Sequence, residues 1–231
     1  MNRCRELFAE FPVDLVAARK AVPGSYNVRV NPKGSAILLL MVQECENCVL
    51  DHVLPVWPMR MAHFWIEVEG PEEVGRILPG STASLPTSYY YALPHQLENP
   101  LGAFVFQMVG VDIQHVAKIT IGGEPGGNRK GKIVENPKSG CGCSLEDYTP
   151  LWKVPKVLTG RRWFFREYGQ FIKRRSVGIV ECVSSFLGEG EITLNATEDS
   201  AIAKLGLGNP LHGISNAVEM SCVTNIWVAT I

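Results

Sequence analysis

Three observations predict a mainly-β fold of the α+β class with a few short helices. Unbroken apolar runs occur, such as residues 36–42 (Ala-Ile-Leu-Leu-Leu-Met-Val), which suit strands buried on both faces. Other stretches alternate: across residues 116–121, Lys118 and Thr120 share a face opposite Ala117, Ile119 and Ile121. Gly, Pro and Asn punctuate the chain between such stretches, as in sandwiches and barrels.

The elements follow in order. Residues 11–23 read as a short helix: Pro12 suits its approach, Asp14 can cap it and Pro23 stops it. Strands are predicted over 36–44, 61–69, 88–92, 102–109 and 116–122. Further strands are predicted over 132–135, 164–165, 177–184, 190–196 and 219–231. A second helix opens on the capping residues Thr197-Glu198-Asp199 and closes on Gly206. Residues 122–131 and 135–150 read as surface loops. The glycine-rich first of these lacks the spacing of a phosphate-binding loop and is better read as a hairpin connection. No repeat or composition shift marks a boundary, so residues 1–231 are expected to form a single domain.

Composition narrows the function. The chain has 231 residues, 46% hydrophobic and 19% charged, with ample material for a core. A formal net charge of −1 gives no field to hold nucleic acid or an anionic membrane. The basic cluster Lys173-Arg174-Arg175 is too short to alter that. The charged opening Met1-Asn2-Arg3-Cys4-Arg5-Glu6 lacks the apolar core of a secretory signal, and no run approaches the ~20 residues needed to span a bilayer. A cytoplasmic protein whose seven cysteines are free thiols is the expectation.

Two stretches carry a family resemblance. The first is Asp14-Leu15-Val16-Ala17-Ala18-Arg19-Lys20-Ala21-Val22-Pro23, followed by a Val-rich strand and the apolar strand ending near Glu44. The second runs from Lys173 to Ile231: a strand, the turn Gly188-Glu189-Gly190, a strand, a helix and a last strand. Leu151-Trp152-Lys153-Val154-Pro155 links the two. Together they resemble the acetoacetate decarboxylase family. The resemblance implies an antiparallel β-barrel with a closed cavity, in a homo-oligomer, acting on a small molecule without a cofactor.

One departure bears on chemistry. The family's Schiff-base members carry a Lys-Lys pair shortly after the strand matched here by residues 102–109, and this sequence has no Lys-Lys at all. An amine must lose its proton to attack a ketone, and a lysine with a pKa near ~10.4 needs burial or a cationic neighbour for that. Lys118 would serve if it pointed into the barrel; otherwise it is a solvated strand lysine.

Other candidates rest on strand parity. His63, Trp65 and Glu67 share one face of their strand and suit acid–base chemistry on a carbonyl compound, or form a half-exposed outer face. Asp51-His52 lies roughly where the family places an acidic residue, and reads equally as a polar turn. Arg60 offers a fork for a substrate carboxylate. Tyr91 shares a face with Tyr89 and could orient a ligand. Gln107, on an apolar strand, would be a buried amide in want of a partner. The close pairs Cys45/Cys48 and Cys141/Cys143 offer a four-thiolate zinc site if their loops meet.

The expectation is a small-molecule enzyme acting on an oxo-acid or another carbonyl-bearing metabolite. Its chemistry would be of lyase, dehydratase, isomerase or cyclase type, driven by acid–base groups. A Schiff-base decarboxylase using Lys118 is the alternative, and a non-catalytic ligand-binding or zinc-stabilised barrel is another.

Overall fold

The computed structural model describes residues 2–50, 54–56, 58–70, 87–93, 95–108, 113–123, 128–136, 138, 141–148, 156–168, 174–220 and 227–230. Strands β1 (Asn2–Val13), helix α1 (Leu15–Ala21), β2 (Ala36–Leu50), β3 (Leu54–Val56) and β4 (Met59–Glu67) come first. Next are β5 (Thr87–Ala92), β6 (His95–Leu97), helix α2 (Pro100–Met108), β7 (Ile113–His115), β8 (Lys118–Gly122) and β9 (Arg129–Asn136). The chain continues through β10 (Cys141–Tyr148), β11 (Lys156–Tyr168), β12 (Arg174–Ala196), a 3-10 turn (Ala203–Leu205), β13 (Leu211–Met220) and β14 (Trp227–Thr230).

These strands make one curled mixed sheet, a half-barrel, in the order β11-β5-β4-β2-β1-β13-β12-β10-β9-β8. The expected mainly-β fold with a few short helices forms, and its strand pairings are antiparallel except that β11 runs parallel to β5, and β6 parallel to β7.

Alternation sorts the apolar residues onto two faces. Leu7, Ala9, Phe11 and Val13 of β1 join Leu38, Leu40 and Val42 of β2 and Ala62, Phe64 and Ile66 of β4. Ile119, Ile133, Leu145, Ile192, Leu194 and Leu211 complete this cluster, so it draws on both ends of the sheet and fills its concave side. Ala18 of α1 and Ile202 beside the 3-10 turn also pack there. Each fully buried large side chain, such as Phe11 or Leu38, contributes about 1.5–3 kcal/mol. A smaller cluster (Phe8, Leu39, Met59, Met61, Trp65, Tyr90) lies on the opposite, convex face, covered by β6, β7 and α2 through Leu97, Ile113 and Ala103.

Where sequence and structure differ, the reasons are local. Of the strand predicted over 102–109, residues 102–108 form a helix instead because Asn99 caps it: its Oδ1 accepts the Gly102 N–H at 2.9 Å, and Pro100 opens the first turn. The predicted turn at Gly188 lies inside the single long strand β12, with a register shift between Phe186 and Gly188 against β13. The helix expected from Thr197 shortens to turns and the 3-10 segment, closed by Gly206 in the left-handed conformation. The first strand, β1, precedes the helix foreseen at residues 11–23. That helix begins after Asp14, whose Oδ1 accepts the Ala17 N–H at 2.8 Å.

Candidate functional site

A polar cluster stands on the concave side. Strand β6 pairs with β4 so that Gln96 faces Ala62 and Leu97 faces Met61. Gln96 therefore points with Ala62 into the concave core and is 1% exposed. Its Nε2 donates to Glu135 Oε1 at 2.8 Å. Both Glu135 oxygens also accept the Ala201 N–H, at 3.1 and 3.0 Å. The register explains why Glu135 reaches inward: Val134 pairs with Gly142 and Asn136 with Cys141, leaving Glu135 as the extra residue of a bulge. Bulges re-aim side chains, and they concentrate beside active sites.

The amide has one end left over. Gln96 Oε1 is buried and has no hydrogen-bond partner among the described residues. Turning the amide over would set its oxygen against the Glu135 carboxylate, so its orientation is fixed by charge. A buried acceptor without a donor carries a desolvation cost of about 1–3 kcal/mol.

Cys143, from β10, borders the same carboxylate and is hydrogen-bonded to Ser200. Burial pushes its thiol up to about 12, the charge of Glu135 adds to this, and the Ser200 contact opposes it. The sulfur is thus held as S–H, unsuited to nucleophilic attack.

Arg60 lies two residues from Ala62 on the same face of β4, about 7 Å along the strand from the position opposite Gln96. Its Nε and Nη2 reach Glu44 Oε1 at 2.7 Å. Its Nη1 meets Glu98 Oε1 at 3.4 Å, while Glu98 Oε2 accepts the Ile119 N–H at 2.9 Å. Hydrogen bonding to Glu44 raises the guanidinium pKa above its usual value, against a smaller desolvation. Two carboxylates thus already engage the fork, and only its Nη1 edge is loosely held. Tyr91 also faces the concave core, its ring 5.2 Å from that of Tyr26.

The convex face carries a second cluster. His63 and Trp65 do share a face, their rings stacked at 5.3 Å and 17°. His95 stands edge-on to His63, with Nδ1 to Nδ1 at 2.8 Å. Burial lowers the His63 pKa to about 4, so its ring is neutral, and across the contact one ring nitrogen donates to the other. Glu67 pairs with Arg29 at 2.7 Å. The predicted His63–Glu67 face is therefore separated from Gln96 and Glu135 by the sheet itself.

Three expectations are corrected. Lys118 is exposed while its neighbour Ile119 takes the inward position, so its amine does not point into the barrel. Gln107 is an exposed helical residue, and its Nε2 donates to the Ile113 carbonyl at 2.7 Å. Cys45 is disulfide-bonded rather than free, and it packs in the convex cluster whereas Cys143 is in the concave one. These two cannot share a four-thiolate zinc site. Asp51 and His52 lie outside the described residues.

Sequence reasoning missed Gln96, Glu135 and the His95 partner of His63. Pro94 hid the three-residue strand β6, and Glu135 looked like the last residue of an ordinary strand.

No protein-family model matches the sequence, and no curated relative matches it. Solved structures do match in shape. An acetoacetate decarboxylase-like enzyme from Sphingomonas wittichii RW1 aligns at 10% identity over 98% of this chain and 92% of its own, with a TM-score of 0.57. The fold is that of the acetoacetate decarboxylase-like proteins. Acetoacetate decarboxylase from Legionella pneumophila aligns at 9% identity over 100% of this chain and 86% of its own, TM-score 0.56. The enduracididine biosynthesis enzyme MppR, complexed with pyruvate, aligns at 12% identity over 97% and 88%, TM-score 0.54. At these identities the acetoacetate decarboxylase-like likeness concerns the fold. No helix among the described residues is long and apolar enough to cross a membrane.

Proposed function

We propose that the protein is a small-molecule enzyme acting on an oxo-acid or another carbonyl-bearing metabolite by acid–base chemistry on the concave face. One observation carries this reading: a buried, oriented acceptor without a partner among the described residues, Gln96 Oε1, beside a carboxylate aimed inward by a bulge. Buried polar groups are normally satisfied, and a bound ligand with a hydroxyl, enol or N–H donor would complete this one. Support for the substrate class comes from MppR, a structure of the same fold in complex with pyruvate.

The roles follow from the geometry. Glu135 accepts hydrogen bonds from Gln96 and Ala201, which hold its carboxylate facing inward as the candidate base. It would take a proton from carbon next to the carbonyl, and return it at the same or a neighbouring atom. Gln96 would orient the substrate's donor, and the Nη1 edge of Arg60 would receive its carboxylate in place of Glu98. The chemistry proposed is proton transfer of lyase, isomerase or cyclase type, without a lysine Schiff base.

The test is isotope exchange. Wild-type protein incubated in deuterated water with pyruvate and a panel of other oxo-acids should wash deuterium into the position next to the carbonyl of at least one. The Glu135→Gln variant should lose this by 10²-fold or more, the usual worth of a general base. Exchange unchanged in Glu135→Gln, or absent for every compound, would remove the reading. Borohydride added during turnover should leave Lys118 unmodified.

A further inference from the structure

We propose that Met41, His63 and His95 form a copper(I) site on the convex face, independent of the concave cluster. The three residues stand in a row on neighbouring strands. Met41 of β2 is the register partner of His63 of β4, and His95 of β6 meets His63 ring to ring. All three share the convex side with Leu39, Trp65 and Tyr90. A direct cross-strand pair holds its Cβ atoms about 4.5–5.5 Å apart, within reach of a methionine sulfur.

Two Nδ1 atoms aimed at each other at 2.8 Å define a point between them that a cation can occupy. A three-coordinate ion at ~2 Å from each nitrogen needs them about 0.7 Å further apart. His95 is half-buried and sits on a three-residue strand, so a small turn of its ring supplies that opening.

The donor set selects the metal. Among the described residues no third His, Cys, Asp or Glu side chain joins the two histidines in such a group. The next donor in the row is a thioether. Imidazole with thioether is a soft set, and it favours copper(I). Trp65 adds to this: its ring stacks on His63 with centroids 5.3 Å apart, so a cation bound at the imidazole lies close to an aromatic face that also excludes water.

The experiment is an anaerobic titration with copper(I), buffered by a chromophoric chelator, on folded protein whose accessible thiols have been alkylated with iodoacetamide. One copper(I) per chain should be retained, with quenching of tryptophan emission. His63→Gln and His95→Gln should each weaken binding by about 100-fold, and Met41→Leu by about tenfold. X-ray absorption on the loaded wild-type protein gives a readout that needs no variant, with both nitrogen and one sulfur expected in the first shell. No retained copper in the alkylated protein, or wild-type affinity in either histidine variant, would overturn the proposal. A shell of nitrogen alone would overturn the part assigned to Met41.

Discussion

Removing either partner of the Gln96–Glu135 hydrogen bond should have unequal consequences, because the two side chains are unequally satisfied. In Glu135→Ala, the Gln96 Nε2 and the Ala201 N–H both lose their acceptor in a buried setting. At about 1–3 kcal/mol for each stranded donor, the cost comes to about 2–6 kcal/mol. In Gln96→Leu the carboxylate loses one charge-assisted bond, worth about 1.5–3 kcal/mol, but keeps the Ala201 N–H. The same substitution abolishes the unpartnered Oε1, recovering about 1–3 kcal/mol of desolvation, and puts an apolar group of similar volume against Ala62. The two terms nearly cancel, so Gln96→Leu should fall within about 1 kcal/mol of wild type. Urea unfolding followed by far-ultraviolet circular dichroism measures both, read as shifts in midpoint at constant slope. If Gln96→Leu is as destabilising as Glu135→Ala, Oε1 has a partner in the folded protein and is not kept for a ligand. A variant as stable as wild type that no longer binds an oxo-acid would show a residue maintained for function at no gain in stability.

Other outcomes follow from the same geometry. The Cys143 thiol should resist iodoacetamide in native protein at pH 8 and react once urea exposes it, as peptide mapping by mass spectrometry will show, since its pKa stands near 12. Its contribution to stability is complete below the unfolded-state value of 9.0 and is lost as pH rises from there toward 12, because only the unfolded chain releases the proton in that window. Cys143→Ser should flatten the high-pH limb of a stability profile. Gly213→Ala should cost about 2–4 kcal/mol in a denaturant midpoint, since the new Cβ would overlap the Glu10 carbonyl of β1 and crowd the Phe11 ring at 2.7 Å. Asn99→Ala removes the cap on the Gly102 N–H and should lower stability by about 1 kcal/mol, with the loss of helical signal confined to α2.

How far the sequence could be read depended on whether the deciding interaction was local. Alternation along β4 is local, and it placed His63 and Trp65 on one face and Ala62, Phe64 and Ile66 on the other, as the two packed clusters show. The Asp14 cap and the Pro23 stop of α1 are local too. Residues 102–109 went wrong although a local signal existed: Asn99-Pro100 is a cap followed by a first-turn proline, and it outweighs the β propensity of Phe104, Val105 and Phe106. Parity then misled at Gln107, since period-two reasoning has no meaning on a helix. Parity also gives two faces without saying which is enclosed. That is settled by β8, β9, β10 and β12 closing over one of them, contacts far apart in sequence.

The bulge in β9 shows why the concave carboxylate was the least legible part. In an unbroken ladder Glu135 would have a register partner on β10 like its neighbours Val134 and Asn136. One extra residue on one strand changes its direction, and nothing in the pattern Lys132-Ile133-Val134-Glu135-Asn136 marks where that residue enters. The cause lies on the partner strand, where Gly142 sits so close to β9 that a Cβ there would collide with the Ile133 carbonyl. A glycine that permits close backbone approach on one strand thus goes with an irregularity in its neighbour, and the irregularity turns a strand-end glutamate into a buried base candidate. Gly142→Ala should therefore act on Glu135 from a distance. The added Cβ forces β10 away from β9, and the Gln96–Glu135 bond of 2.8 Å should lengthen or break. Oxo-acid exchange should fall with it, while the His63–His95 pair on the convex face keeps its contact, as histidine nitrogen shifts in NMR will report. Loss of both together would mean that the substitution unfolds the sheet and says nothing about the bulge.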